Sequence, residues 1–354
     1  MRLGLNLRYL GHLGAGARPR ESAQYVREAE RLGFSVAWTA EAFSSDTVSL
    51  LGWLAAQTSR IDLGTAVMQI PARTPAMTAM TAATLDLLSE GRFRLGLGVS
   101  GPQVAEGWHG ARFEKPLART REYVDVVRMT LQRKTVAYDG EHYRLPLPDG
   151  PGKAIQLGMR PRRKHVPVYL AAVGPANMRL AGEIADGWLS VFFQPEFGQE
   201  SLAELRTGRG RKGADLRGFD VVAAAVPVAT GGNLADCADR IRAFTTHYVG
   251  GMGSRQDNFY NRLMARTGFP DEAEQVQKLY LDGELRAATE AMPQGFLDRT
   301  ALLGSTDRIA DRLQAYAEAG VTTLSATIFP ENVEQGIATL RTLAEAMDKA
   351  GVGD

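Results

Sequence analysis

The side chains best suited to chemistry stand at the ends of apolar runs. Glu41 follows the apolar run FSVAWTA at residues 34–40. Asn6 lies near the end of the run at residues 2–7, and Gln69 follows the run at residues 61–68. A carboxylate in such a place can accept a hydrogen bond from a ligand, or exchange a proton with a substrate as a general acid or base. It can equally cap a helix or form an ion pair. Glu41 is therefore the first candidate catalytic residue, with Asn6 and Gln69 as polar neighbours.

A glycine-rich segment, residues 96–101, spells Gly-Leu-Gly-Val-Ser-Gly and matches G-x-G-x-x-G. This pattern can bind a dinucleotide when it follows a strand and opens a helix. Here Pro102 and a loop-like insertion follow, and we expect no phosphate-binding helix at this point. The favoured interpretation is that the small residues let a flat ring system lie close to the backbone.

A second turn, Gly174-Pro175-Ala176-Asn177, stands between an apolar run and a predicted helix. Backbone N–H groups at a helix N-terminus bind phosphate readily, and the late loops of a barrel often carry such a site. An ordinary tight turn would have the same composition. We expect phosphate binding here, with the ordinary turn as the alternative.

Other kinds of site find little support. The five histidines form neither H-x-x-x-H nor H-E-x-x-H, and Cys237 is the only cysteine, so no His/Cys metal site is expected. Ser100 is one residue out of register for the nucleophile elbow G-x-S-x-G. His109, next to Trp108, either faces a pocket or only packs, and packing is the favoured interpretation.

Charge and composition exclude further classes. The 41 Lys and Arg residues balance 40 Asp and Glu residues, which leaves no basic face for nucleic acid. No apolar stretch reaches about 18 residues and no signal-peptide pattern opens the chain, so no membrane segment is expected. A single cysteine allows no internal disulfide, which fits the cytoplasm. We expect a cytoplasmic protein that acts on a small molecule.

The elements that must position these residues alternate between strand and helix. Apolar runs predict eight strands, at residues 2–7, 34–39, 61–68, 93–99, 167–173, 187–192, 219–229 and 322–328. The runs are continuous, as in a parallel sheet that is buried on both faces. Eight such units predict an α/β fold, a (β/α)8 TIM barrel whose catalytic groups lie at the carboxyl ends of the strands. An open doubly wound sheet is the alternative.

Three insertions interrupt this regular order, at about residues 100–118, 134–166 and 250–300. Residues 136–145 predict a hairpin in which Asp139-Gly140 forms a type I′ turn. Residues 250–268 and the basic run 206–213 predict loops. We expect a single barrel domain over residues 1–354.

Several segments together resemble the luciferase-like barrel enzymes. They are Trp38-Thr39-Ala40-Glu41-Ala42-Phe43, Leu63-Gly64-Thr65-Ala66-Val67, residues 91–98, Val168 to Pro175, Ala185-Asp186-Gly187-Trp188 and Glu318-Ala319-Gly320-Val321. Residues 250–253 with Asn258-Phe259-Tyr260 resemble the coenzyme F420-dependent branch of that superfamily. The resemblance covers nearly the whole chain, and the order and spacing of the segments make it specific.

The resemblance implies a deazaflavin cofactor at the barrel mouth and a non-prolyl cis peptide bond at Ala66–Val67 that bulges against the ring. It also implies the residues that line the cofactor. These are Glu41, Ala66, Val67, Gln69, Ser100 and Gly101 around the ring and Ala172, Val173, Gly174 and Pro175 near its phosphate. The proton donor stays open among Glu41, Asn6, Gln69 and water. A homodimer is also implied.

The implied activity is hydride transfer between C5 of the deazaflavin and a carbonyl, imine, enone or alcohol carbon. An FMN-dependent monooxygenase on the same fold and a barrel that only binds the cofactor are the alternatives. Ala42 and Gly101 stand where the F420-dependent glucose-6-phosphate dehydrogenases carry a histidine and a glutamate. This departure argues against glucose 6-phosphate as the substrate.

Overall fold

A closed cylinder of eight parallel strands forms the centre of the computed structural model, which describes residues 1–9 and 18–353. The strands are β1 Arg2–Asn6, β2 Val36–Thr39, β3 Asp62–Thr65, β4 Phe93–Gly98, β5 Val168–Ala171, β6 Gly187–Ser190, β7 Asp220–Thr230 and β8 Thr323–Ile328. Each strand pairs with the next, and β8 pairs with β1. The predicted barrel is confirmed, and the open-sheet alternative is wrong.

Fourteen α-helices occur in the described ranges. They are α1 Pro19–Arg31, α2 Thr47–Ala55, α3 Pro75–Leu88, α4 Pro102–Gly107, α5 Pro116–Leu131, α6 Pro175–Ile184, α7 Gly198–Gly210, α8 Leu234–Thr246, α9 Phe259–Arg266, α10 Pro270–Leu281, α11 Leu285–Glu290, α12 Gln294–Thr300, α13 Thr306–Glu318 and α14 Val333–Ala350. The main apolar core lies between the helices and the outer face of the barrel. None of these helices is both long enough and apolar enough to cross a lipid bilayer.

Local signals set several helix ends. Thr74 Oγ1 accepts a hydrogen bond from the Met77 N–H at 3.2 Å, and Pro75 is the first residue of α3. Gly33 and Gly91, predicted to end two helices, adopt φ values of +82° and +88°. Only glycine enters this backbone region without steric cost, so these helix ends are encoded locally.

The barrel interior is apolar on the side toward the carboxyl ends of the strands. Trp38 and Tyr169 pack edge to face there with ring centroids 5.3 Å apart, and both are buried. A Cβ atom on Gly64 would lie 2.3 Å from the Trp38 ring, so only glycine fits below the indole. Ala66, Val67 and Ala171 pack on this layer and are half-buried. Side chains therefore fill the barrel interior up to the layer that Ala66, Val67 and Ala171 form.

The opposite end of the barrel holds a polar network around Asp220. The Asp220 carboxylate accepts hydrogen bonds from five groups: Arg2, Arg94, the Tyr169 hydroxyl, Thr322 and Thr323. Arg94 also donates to Asp62 at 2.7 Å. These residues lie at or near the amino ends of the strands, the barrel face that serves stability rather than catalysis.

The hairpin at residues 136–145 exists, but its predicted turn is wrong. Asp139 pairs with Arg144, so the loop has four residues, and Gly140 does not adopt positive φ. The Glu122 carboxylate on α5 instead accepts the backbone N–H groups of residues 141, 142 and 143 at 2.8–3.0 Å. A Cβ atom on Gly140 would lie 2.4 Å from that carboxylate. Glycine is needed here for close approach, not for turn geometry.

Two predicted loops are partly helical. Residues 259–266 form α9, which Asn258 caps by accepting the N–H groups of Tyr260 and Asn261 at 3.0 Å. The basic run 206–213 begins inside α7. A Cβ atom on Gly208 would lie 2.0 Å from the Arg179 carbonyl oxygen of α6, so the glycine permits close helix packing. Tertiary contact has overridden the low helix propensity of glycine.

Candidate active site

The carboxyl ends of β1, β2 and β3 bring the first predicted residues together. Backbone hydrogen bonds connect the segments that follow these strands: Ala40 N–H donates to the Arg8 carbonyl at 2.9 Å, and Glu41 N–H donates to the Val67 carbonyl at 3.2 Å. Asn6 Nδ2 donates to the Ala224 carbonyl at 2.6 Å. The predicted catalytic side chains therefore lie on one contiguous rim.

The Ala66–Val67 peptide bond is cis, as the resemblance implied. The pairing of β3 with β4 stops at Gly64 and resumes at Met68, beyond the cis bond. Across this gap the Thr65 hydroxyl donates to the Gly96 carbonyl at 2.7 Å and accepts the Gly96 N–H at 2.8 Å. The threonine side chain thus replaces the interrupted strand pairing, and the bulge carries two small, half-buried side chains at the mouth.

The first two glycines of Gly-Leu-Gly-Val-Ser-Gly, Gly96 and Gly98, leave the space that this bulge occupies. A Cβ atom on Gly96 would lie 1.9 Å from the Thr65 carbonyl oxygen, and one on Gly98 would lie 2.6 Å from Val67 Cγ2. The space above both glycines is filled by the protein itself. Our interpretation that these two positions leave room for a ring is therefore wrong; for Ser100 and Gly101, at the end of the motif, it stays a prediction.

Ser100 and Gly101 close the motif at the rim, and both are half-buried. Ser100 has a φ of +63°, and Gly101 precedes α4 in an extended conformation. A short helix, α4, begins at Pro102 directly after this loop-like start, and the expectation that no phosphate-binding helix opens here stays a prediction. Helix α4 has only six residues, since the chain turns away at Trp108.

Glu41 is buried, and its carboxylate is fully engaged. It accepts the Gln69 N–H at 3.0 Å and the Thr47 N–H at 3.4 Å, and it forms an ion pair with Arg73. Gln69 Nε2 donates to the Glu41 carbonyl at 3.0 Å. In the described part of the chain, Gln69 Oε1 is buried without a hydrogen-bond partner. That oxygen is an acceptor available to a ligand.

A cleft of about 600 Å³ opens beside this group. Its wall includes Glu41, Gln69, Arg73, Trp108 and His109. The Trp108 side chain is 66% exposed, and the buried His109 Nε2 has no hydrogen-bond partner among the described residues. His109 therefore belongs to the wall of the cleft, and the interpretation that its role is packing stays a prediction.

A second cleft, of about 790 Å³, follows the ends of β5 and β6. Ala172, Val173 and Pro175 line it, and the Trp188 indole N–H donates to the Ala172 carbonyl at 2.9 Å. Gly174 caps α6, and a Cβ atom there would meet no other atom within 4 Å. The first turn of α6 has backbone N–H groups without intrahelical acceptors. This arrangement suits a phosphate.

A family model described as luciferase-like monooxygenase matches residues 1–323. The chain belongs to this family. A Mycobacterium tuberculosis protein, provisionally named a coenzyme F420-dependent oxidoreductase, is 42% identical over 334 residues, with 92% of this chain and 95% of the relative covered. The 5,10-methylenetetrahydromethanopterin reductase of Archaeoglobus fulgidus is 29% identical over 309 residues, covering 85% of this chain and 87% of its own.

Solved structures agree with the fold of this luciferase-like protein. The coenzyme F420-dependent tetrahydromethanopterin reductase from Methanopyrus kandleri superposes with a TM-score of 0.79, at 23% sequence identity. The match covers 97% of this chain and 98% of that chain. At this level of identity, the likeness is evidence for the shared architecture alone.

Two cations lie at this luciferase-like mouth: sequence reasoning placed Arg8 at the end of the first strand without giving it a role, and it missed Arg73. Arg73 pairs with Glu41, and the guanidinium of Arg8 lies over the adjoining rings of Phe244 and Phe329, 4.9 Å and 4.8 Å from their centres. Arg8 follows β1 closely, and Arg73 follows the segment 68–72 that extends from β3. Their positions after strands were the sequence signal that both side chains lie at the mouth. Their partners come from distant parts of the chain and could not be read from spacing.

Proposed function

We propose that this chain is a coenzyme F420-dependent oxidoreductase, which transfers hydride between C5 of the deazaflavin and a small organic substrate (a carbonyl, imine, enone or alcohol). The observation that carries the proposal is the half-buried bulge at Ala66–Val67. It lies directly after β3, beside the Glu41 cleft, while the Gly174 cleft lies two strands further around the rim. The names of the relatives favour F420 over FMN.

The residues present fit such a cofactor. Small side chains at Ala66 and Gly101 allow a flat heterocycle to approach the rim, and Gln69 Oε1 can accept one of its N–H donors. The Gly174 turn and the first turn of α6 would hold a phosphate on its side chain. The bound deazaflavin would supply a two-electron carrier that reacts slowly with O2. The protein's part is to orient two reactants and to exclude water.

We propose three candidates among this chain's side chains for holding or moving the proton: Glu41, Asn6 and Gln69. Asn6 bridges two backbone groups, because its Oδ1 accepts the Arg8 N–H at 2.9 Å while its Nδ2 donates to Ala224. Glu41 contacts both Gln69 and Arg73 directly. The contacts favour Glu41 as the residue that organises the cleft wall.

Changing Glu41→Gln should lower the affinity for F420 about tenfold, or about 1.4 kcal/mol. The amide keeps the shape but leaves Arg73 without its counter-ion, which disturbs the wall around Gln69. Fluorescence titration with F420 measures the effect. Asp46→Asn is the matched control, since Asp46 lines the same cleft and asparagine caps α2 equally well. Equal affinities for wild type and Glu41→Gln would remove Glu41 from the site.

Titration of the purified protein with F420 and, separately, with FMN tests the proposal. We expect F420 to bind with a change in its visible absorbance and FMN to bind at least about tenfold more weakly. Binding of FMN without a response to F420 would contradict the proposal and favour an FMN-dependent monooxygenase, which the family description makes the second candidate. Oxygen consumption with reduced FMN would then identify that activity.

We also propose a homodimer formed through α3. Its outer face carries Met77, Met80, Leu87 and Leu88, each about half exposed. An apolar stripe of this size on a surface helix is typical of a protein–protein contact. Sedimentation equilibrium should give twice the chain mass for wild type and a monomer for a Met80→Glu/Leu88→Glu variant, whereas Leu147→Glu in an unrelated loop should stay dimeric. A monomeric wild-type protein would refute the proposal.

We propose finally that residues 1–354 form one barrel domain with insertions at about 100–118, 134–166 and 250–300. An apolar cluster shared by the barrel and the third insertion supports this arrangement. It combines Phe192 and Ala229, at or near the ends of β6 and β7, with Met264 and Phe296 of the third insertion. A shared core of this kind favours cooperative unfolding of barrel and insertion.

A further inference from the structure

The cleft at the ends of β5 and β6 continues past the first turn of α6. Beyond that turn its wall includes Gln194 after β6, Glu200 and Glu204 of α7, and Arg266, the last residue of α9. Its free interior of about 170 Å³ is many times the space that one bound water needs. The cleft therefore has room and polar side chains past the place proposed for the phosphate.

Gln194 contributes an unused acceptor to this wall. The residue is 4% exposed, and its Nε2 donates to the Thr267 hydroxyl at 2.9 Å. That hydroxyl donates in turn to the carbonyls of Leu263 and Met264, so it can only accept from Gln194. The amide is thereby fixed with its nitrogen toward Thr267, and Oε1 is buried without a hydrogen-bond partner among the described residues. Because a buried acceptor without a donor is costly, Oε1 suits an N–H or O–H group of a ligand.

Arg266 contributes a cation. Its side chain is exposed, and its guanidinium forms no hydrogen bond or ion pair within residues 1–9 and 18–353. Arg262, one turn earlier on the same helix, differs, because it donates to the Gln256 carbonyl at 2.8 Å and pairs with Asp257. The donors of Arg266 are therefore available to an anion in the cleft.

The two carboxylates on this wall do not neutralise Arg266. Glu204 pairs with Arg179 of α6. Glu200 lies in the first turn of α7, where the helix N-terminus favours a negative charge. Of the charges on the wall, Glu200 alone opposes a bound anion, and its exposure to solvent weakens that effect.

We propose that this cleft binds the acidic tail of the cofactor, a glutamate that an amide bond joins beyond the phosphate. Arg266 pairs with the carboxylate of the tail, and Gln194 Oε1 accepts its amide N–H. The inference rests on the proposed function, since it extends the same cofactor site. A guanidinium presents paired N–H donors to the two oxygens of a carboxylate. FMN ends at its phosphate and offers these two residues nothing, so the cleft also selects F420 over FMN.

Fluorescence titration tests this with two ligands: F420 that carries one glutamate, and the same deazaflavin without the glutamate. We expect wild type to bind the first at least about fivefold more tightly, the range of an accessible ion pair. Arg266→Gln should lose most of this difference and keep the wild-type affinity for the glutamate-free ligand. Arg262→Gln is the matched control, the same change on the same helix, and should behave as wild type.

Gln194→Leu should also reduce the difference, because it removes the acceptor for the amide N–H. Circular dichroism establishes that each variant is folded, and the exposed Arg266 decides the question even if Gln194→Leu unfolds. Equal affinities of wild type for the two ligands would overturn the inference, as would an unchanged difference in Arg266→Gln. The proposed function would stand in both cases, since the deazaflavin still binds. Failure of both ligands to bind wild type would overturn the proposed function and this inference together.

Discussion

Gly96→Ala should destabilise the protein by about 3 kcal/mol or more, at or above the upper end of the usual cost of overpacking. The added methyl group would lie 1.9 Å from the Thr65 carbonyl oxygen and 2.8 Å from Leu189 Cδ1. The first neighbour is backbone in the middle of the barrel wall, which cannot rotate away. Denaturant unfolding followed by circular dichroism gives the free energy of unfolding.

Two further glycines make this a graded test. Gly98→Ala should cost less than Gly96→Ala, because its methyl group meets the Val67 side chain at 2.6 Å rather than backbone. Gly107→Ala, at the end of α4, meets nothing within 4 Å and should be within about 0.5 kcal/mol of wild type. If Gly96→Ala unfolded like wild type, the close contact between β3 and β4 would not be a feature of the protein.

Asp220→Asn should cost about 3–5 kcal/mol of unfolding free energy, the usual effect of removing one partner from a buried ion pair. The carboxylate accepts from Arg2, Arg94, Tyr169, Thr322 and Thr323. An amide group would turn an N–H donor toward some of these donors. The loss should appear as a lower denaturant midpoint with an unchanged slope.

The exposed pair of Arg286 and Glu290 provides the control. Glu290→Gln is the same chemical change in a pair whose side chains are 93% and 64% exposed, and we expect an effect below about 0.5 kcal/mol. Because Asp220 lies at the end of the barrel away from the mouth, the folded Asp220→Asn protein should bind F420 as wild type does. A stability loss equal to that of Glu290→Gln would contradict the importance of the network.

The parts of the fold that the sequence predicted are those encoded locally. A strand in a parallel barrel is a continuous apolar run, and Thr74-Pro75 is a complete helix start. The eight strands and most helices follow from such signals. Helix α9 was missed although its signal was present, since Asn258 is a good capping residue. The glycines at positions 250, 251 and 253 favour a loop, and they hide this cap from a prediction based on composition.

The errors share a different cause, which is contact between distant segments. The helical part of residues 206–213 depends on the Arg179 carbonyl, and the hairpin turn depends on Glu122. The position of Glu41 at a strand end was predictable, but its ion pair with Arg73 was not. Spacing along the chain identifies which side chains reach the rim, while the partners of each are decided by packing.

The clamp by Glu122 has a consequence for the order in which the chain folds. An isolated two-stranded hairpin is marginal in water, and this one pairs over only four residues, Tyr138–Asp139 with Arg144–Leu145. The three backbone N–H donors of its loop gain their acceptor, the Glu122 carboxylate, only after α5 is docked. We therefore expect the hairpin to be among the last segments to acquire native structure, and its amide protons to exchange with solvent well before those of the barrel strands.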